Sequence, residues 1–172
     1  MDDMDFKHIL RKIEVSREYK DFVNDNSDYY LVHVFTLTDS EHDNIWQIGY
    51  YSKETDKIIV FEHNIDNPSE IIVHPPAEAL KKEEYIQPLS VEAVSVSKED
   101  ASVICKELLK EYYSREILSK SIFLLQNLPE FGQVWNVTMV THAFSVINAK
   151  IDASNGKILK HHKENLMNWN SK

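Results

Sequence analysis

Glycine is scarce in this chain: Gly49, Gly132 and Gly156 are all there is in 172 residues. Neither G-x-G-x-x-G nor a P-loop can be written with them, which excludes the glycine-rich phosphate cradles. Cysteine is scarcer. Cys105 stands alone, so no internal disulfide and no cysteine-based zinc site can form. A lone cysteine points to a reducing cytoplasm. Long apolar runs are missing too, and none approaches the ~20 residues of a membrane helix. The opening "MDDMDFKHIL" is acidic where a secretion signal would be basic and then apolar. Positive charge is in deficit: 19 Lys and Arg stand against 28 Asp and Glu, for a net charge of −9. Such a surface repels phosphate backbones, so nucleic acid is excluded as a partner. What is present is an ordinary globular balance, 42% hydrophobic and 27% charged.

The apolar residues are patterned. Phe6, Ile9, Leu10 and Ile13 recur at i, i+3, i+4 and i+7, which predicts a helix from Asp5 to Phe22. "YYLVHVFTLT", "IWQIGYYS" and "IIVFEH" read as three strands joined by polar turns. Residues 67–96 hold four of the five prolines, Pro68, Pro75, Pro76 and Pro88. Proline removes ladder donors, so this stretch reads as a connector containing a short strand and one helical turn. Ser97 with Asp100 fits a capping box that opens a second helix. Its inner face carries Ala101, Ile104, Cys105, Leu108 and Tyr112, and Cys105 there is a small buried hydrophobe. "KSIFLLQN", "VWNVTMV", "FSVINAKI" and "ILKHH" follow as strands, and Leu166 with Trp169 is expected to dock the tail.

The two halves echo each other. Each runs from a helix into a meander whose second strand carries a tryptophan, Trp46 or Trp135. Each also has a Lys-Ile strand opening, Lys57-Ile58 or Lys157-Ile158, and the second half has an extra hairpin. The expected fold is therefore α+β, as two helix-plus-antiparallel-sheet units. They span residues 1–66 and 97–163, with 67–96 as connector and 164–172 as tail.

Candidate chemistry is thin. Counted from Asp152 as an EF-hand loop, Ser154 falls at position 3, Gly156 at 5 and Lys163 at 12. The glycine comes one place early and the closing glutamate is replaced by a cation. Hairpin geometry explains Asp152, Asn155 and Gly156 better, since Asn-Gly suits a backbone needing positive φ. The histidines are His8, His33, His42, His63, His74, His142, His161 and His162. They form no H-E-x-x-H or other ligand spacing. His161 and His162, adjacent on a strand, point to opposite faces. His33 and His63 are candidates to approach across strands. There is no G-x-S-x-G elbow for a nucleophile. The carboxylate pairs Glu83-Glu84 and Glu99-Asp100 fall in a connector and a helix cap. Trp46 and Trp135 read as core. The expectation is no catalytic residue, no metal and no cofactor.

The helix "SKEDASVICKELL", the strand "VWNVTMV" and the segment "AKIDASNGKIL" together resemble a PepSY domain, the small α+β module of peptidase propeptides. The family has a helix opened by a serine-plus-acid cap, W-x-V strands and a final hairpin of the form x-V-D-A-x-T-G-x-V-L. Here Asn155 stands where the family often has threonine. The resemblance is clearest over residues 97–161. A looser copy in 5–63 has Thr55-Asp56-Lys57 at the turn in place of the glycine. The resemblance implies a non-enzymatic module that binds or restrains a protein partner, often a peptidase, with Trp135, Asp152 and Gly156 structural. Members are usually secreted or membrane-anchored, whereas this composition points to a cytoplasmic protein free of membrane. An exposed sheet edge is a natural docking line for such a module. Two rival readings remain: an acidic inhibitor or immunity-type protein masking a basic partner, and a cystatin-like fold enclosing a small-ligand pocket. In the second, His33 or His63 would lie beside a carboxylate.

Overall fold

The computed structural model describes residues 6–41, 43–81 and 84–167. His42, Glu83 and Trp169 lie outside them. The stripe Phe6, Ile9, Leu10, Ile13 forms helix α1 (Phe6–Val15) and is buried along its whole length. The expected continuous helix breaks at Ser16. Its hydroxyl accepts from the Tyr19 N–H at 3.2 Å and caps a second helix, α2 (Arg17–Asp25). Helix α3 (Lys98–Tyr112) opens on the capping box. Ser97 Oγ accepts from the Asp100 N–H at 3.0 Å, and Asp100 Oδ2 accepts from the Ser97 N–H at 3.2 Å.

Eight strands follow in chain order: β1 (Tyr30–Thr38), β2 (Ile45–Ser52), β3 (Lys57–Asn64), β4 (Ile71–Glu78), β5 (Leu118–Leu128), β6 (Gly132–Thr141), β7 (Ser145–Asp152) and β8 (Ile158–Asn165). The alternating burial of β1 and β7 shows the period-2 pattern of strands with one face inward. All eight belong to one antiparallel sheet, ordered β4-β3-β2-β1-β5-β6-β7-β8.

This order overturns the expectation of two helix-plus-sheet units. β1 pairs with β5 from His33↔Gln126 to Thr38↔Ser121, so the two meanders are one sheet. The core is shared as well. Phe6 of α1 meets Trp135 of β6 edge to face at 6.0 Å, and Lys7 Nζ donates to the Val94 carbonyl at 2.8 Å. The physical reason is plain in hindsight. Periodicity reveals that a strand has a buried face; it does not reveal which strand lies beside it.

The echo between the halves also resolves differently. Trp46 and Trp135 do sit on the second strand out from the β1·β5 seam on either side. Lys57-Ile58, however, opens β3, while Lys157-Ile158 opens β8. What those dipeptides share is a turn. Asp56 N–H donates to Ser52 O at 2.9 Å and Gly156 N–H to Asp152 O at 2.8 Å, each with positive φ, +55° and +79°. β4 and a 3-10 turn at Val91–Ala93 lie within residues 67–96. Pro75 and Pro76 fit β4 because it is an edge strand. They fall at a bulge between the pairs Ile58↔Ala77 and Val60↔His74.

All three helices cover one face. Val34, Ile48, Phe61, Leu125, Val137 and Ile147 point into it from six different strands and are buried. The other face has no helix over it. It carries His33, Phe35, Gln47, Glu62, Leu124 and Lys150, which are half-buried, and Tyr51 and Val134, which are fully buried.

Candidate functional site: the free edge at β8

The sheet has two outer edges, and sequence makes them different. On β4 two of eight residues are prolines, which offer no N–H to an added strand. β8 reads ILKHHKEN and contains none. Its inner edge pairs with β7 from Ser145↔Asn165 to Ile151↔Ile158. Its outer edge pairs with no strand among the described residues. Lys160 leaves this strand only weakly basic on an acidic protein, since Lys163 is bonded to Glu116 and Glu164 lies in the same strand. Lysines on an edge discourage indiscriminate strand addition and favour an acidic newcomer.

The last turn of α3 builds a lip beside this edge. Tyr112, 58% exposed, lies with its ring centroid 4.7 Å from the His161 ring. The Tyr113 hydroxyl is 2.8 Å from His161 Nδ1, and burial pushes the phenol's pKa upward. Behind the lip lies a recess of about 190 Å³ lined by Leu109, Lys110, Tyr113, Ser114 and Glu116. Lys163 Nζ donates to Glu116 Oε1, and that bond first of all holds the Glu116 carboxyl below its ordinary range. The arrangement offers unpaired backbone, aromatic surface and a small polar recess. Those are the elements by which an extended peptide is held and read. They do not make a nucleophile, and Cys105 is buried with its thiol pushed up to about 12 by that burial.

The residues singled out by sequence lie elsewhere. Trp135 is fully buried, stacks edge to face on Phe6 and Phe123, and donates from Nε1 to the Val96 carbonyl at 2.8 Å. Trp46 is buried between Thr36 and His63 on neighbouring strands. Asp152 Oδ1 accepts from the Ser154 hydroxyl at 2.6 Å and the Ser154 N–H at 2.8 Å, and these bonds hold its carboxyl low. Asn155 Oδ1 accepts from the Lys157 N–H at 2.9 Å. The carboxylate and amide are thus occupied inside the turn. The turn also anchors the chain before α3, since Ser95 N–H and Val96 N–H both donate to the Ala153 carbonyl. A shallow groove of about 430 Å³ lies between this turn and the start of α3.

His33 and His63 do not approach each other. His33 lies on the open face opposite Gly49; His63 lies on the covered face opposite Trp46. Burial first of all lowers the His63 pKa, and the nearby positive charges of Lys12 and His8 add to this, against a weak opposing backbone contact at Glu70. The His33 imidazole lies across Gly49, where an added Cβ would stand 2.1 Å from Cε1. Burial alone lowers its pKa to about 4. His161 and His162 do point to opposite faces, toward Ala149 and Asn148.

Sequence reasoning missed two groupings. One is Tyr112-Tyr113 with His161, which joins segments far apart in the chain. The other is on the open face, where Glu62 Oε2 accepts from Gln47 Nε2 at 2.8 Å and lies 3.0 Å from His74 Nε2. Alternation along β3 was the available signal for Glu62, since it alternates with the buried Phe61 and His63. Among the described residues no group of three or more His, Cys, Asp or Glu could hold a metal ion. Among them, too, no helix is long and apolar enough to cross a membrane.

No family model matches this chain, and no curated protein does. One solved structure is similar: a "putative lipoprotein" from Clostridium difficile 630. The two share 15% identity at a TM-score of 0.53, covering 86% of this chain and 90% of the other. At that identity the likeness shows the fold alone.

Proposed function

We propose that this protein is a non-enzymatic binding or regulatory module that takes an extended, acid-bearing segment of a protein partner along the β8 edge. The observation that carries it is the asymmetry of the edges. β8 is eight residues long, free of proline and flanked by the Tyr112-Tyr113-His161 lip, whereas β4 is blunted by Pro75-Pro76. Backbone bonding along β8 would supply affinity, and the lip and recess would supply selectivity. The PepSY-like reading of residues 97–161 belongs to this proposal, and a peptidase is the partner class it suggests. So does a cytoplasmic setting, supported by the single buried Cys105.

The test is site-specific photo-crosslinking in the native host. A photoreactive residue is placed at Lys160 on β8 and, separately, at Ile72 on β4. A discrete adduct to a protein other than this chain from position 160, and none from position 72, supports the reading. No such adduct at 160, or equal such adducts at both, overturns it; adducts between two copies of this chain bear on neither outcome. Cell fractionation settles the compartment: recovery with membranes would overturn the cytoplasmic assignment.

A further inference from the structure

Registers across the open face show an unexpected order. One row of opposed residues runs through the sheet: Ile72, Glu62, Gln47 and Phe35 on one side of the seam, then Leu124, Asn136, Lys150 and Lys160 on the other. Counting outward from the β1·β5 seam, Phe35 matches Leu124, Gln47 matches Asn136, and Glu62 matches Lys150. In these three pairs apolar answers apolar, amide answers amide, and the carboxylate answers the ammonium; the outermost pair, Ile72 with Lys160, does not match. The next row up continues this with Leu37 beside Ile122 at the seam.

We infer that this face is the interface of a homodimer, two copies packed sheet to sheet about a two-fold axis that lies along the seam, parallel to the strands. Such an axis carries each side of one sheet over the opposite side of the other. Glu62 then lies over Lys150 of the second copy, Gln47 over Asn136, and Phe35 over Leu124. A two-fold across the strands would instead set Glu62 over Glu62 and Lys150 over Lys150. The charges select one axis of the two.

Two further observations fit. The charged groups are held in place within each copy, Glu62 by Gln47 and His74, and Lys150 by donation to Asn148 Oδ1 at 2.8 Å. Side chains fixed before association lose little freedom on docking. Eight strands spaced ~4.8 Å, each with ~24 Å of length, bound the whole face at roughly 900 Å²; Tyr51 and Val134 are already buried there, so the free part lies somewhat below the roughly 800 Å² per partner of a standard interface. Aligned sheets pack with strands within ~30° of one another, which this axis permits. The net charge of −9 per copy opposes association. At 0.15 M salt the Debye length is ~8 Å, so charges on the far sides are screened while apposed pairs are not. The outer backbone of β8 stays free, so the dimer adds to the proposed partner site without occupying it.

The test is sedimentation equilibrium on the full chain with a charge-reversal cycle. The unaltered protein should be a dimer. Glu62→Lys and Lys150→Glu should each raise the dimer dissociation constant at least about tenfold, because each creates two like-charge contacts per dimer. The double variant should return to within about threefold of the original value. Circular dichroism confirms that each variant is folded. A monomer at ~200 µM, or single reversals that leave the dissociation constant unchanged, overturns the inference. So does a double variant as weak as the worse single.

Discussion

The two faces of the sheet use the same strands and follow different rules. The covered face is filled by Trp135, Phe61, Phe123 and their neighbours, all essentially inaccessible. Apart from the buried Tyr51 and Val134, the open face carries side chains of intermediate exposure and mixed polarity, bonded to one another in short chains such as Gln47-Glu62-His74. Each face also holds a histidine made unwilling to take a proton, His63 on the covered side and His33 on the open side. The difference teaches where stability resides and where recognition can. Removing a buried side chain leaves a void that its neighbours cannot fill, whereas half-buried chains can shift.

The largest contrast should come from truncating one residue on each face. Trp135→Ala should lose about 3–5 kcal/mol of folding stability by denaturant titration, through lost burial and the orphaned Val96 carbonyl. Leu124→Ala on the open face should lose only about 1 kcal/mol in the monomer, because it was never fully buried. Equal losses would mean the open face is core as well.

The next effect tests a close approach. Gly49→Ala sets a methyl into the His33 imidazole and should destabilise by about 2 kcal/mol. The paired variant with His33→Ala should regain most of that loss, since the ring is what the methyl meets. An additive double variant would show that Gly49 serves the backbone and not His33.

Third is pH. The folded His33 titrates near 4, below its unfolded value of about 6.5. The native state therefore binds fewer protons between those values. Stability is fully present above pH ~6.5 and falls as pH drops toward 4, by about 3 kcal/mol from this residue. Carboxylates titrate in part of the same range, so the readout is the difference from His33→Gln, whose curve should be flatter by that amount.

How much of this was legible in the sequence depends on the distance each feature spans. The stripe Phe6-Ile9-Leu10-Ile13, the Ser97-Asp100 box and the Asp152-Gly156 turn are local, and residue spacing specifies them. The break at Ser16 was missed because Val15, Tyr19 and Phe22 continue an apolar pattern through it. The β1·β5 pairing joins segments nearly ninety residues apart, and no local period encodes a neighbour. The Tyr113-His161 contact was hidden for the same reason. The turn at Ser52–Lys57 was misread as an echo of Asp152–Lys157 between units. Two copies of one turn type reflect backbone geometry, with Asp56 accepting the left-handed φ that Gly156 takes without strain.

The smallest effect concerns that turn. Asp152→Ala should cost about 1 kcal/mol, because it frees the Ser154 donors to water and does not bury them. Calorimetry should detect no calcium binding before or after the change. Binding by the unaltered protein, lost in the variant, would restore the cation-loop reading.

Pro75 and Pro76 have a consequence beyond their strand. Repeated edge-to-edge growth requires every unit to offer two receptive borders, one to join and one to be joined. A unit with one border sealed terminates whatever it joins. Strand capture at β8 would therefore stop after a single addition, and a concentrated solution of this protein should resist the templated assembly that threatens any long open sheet.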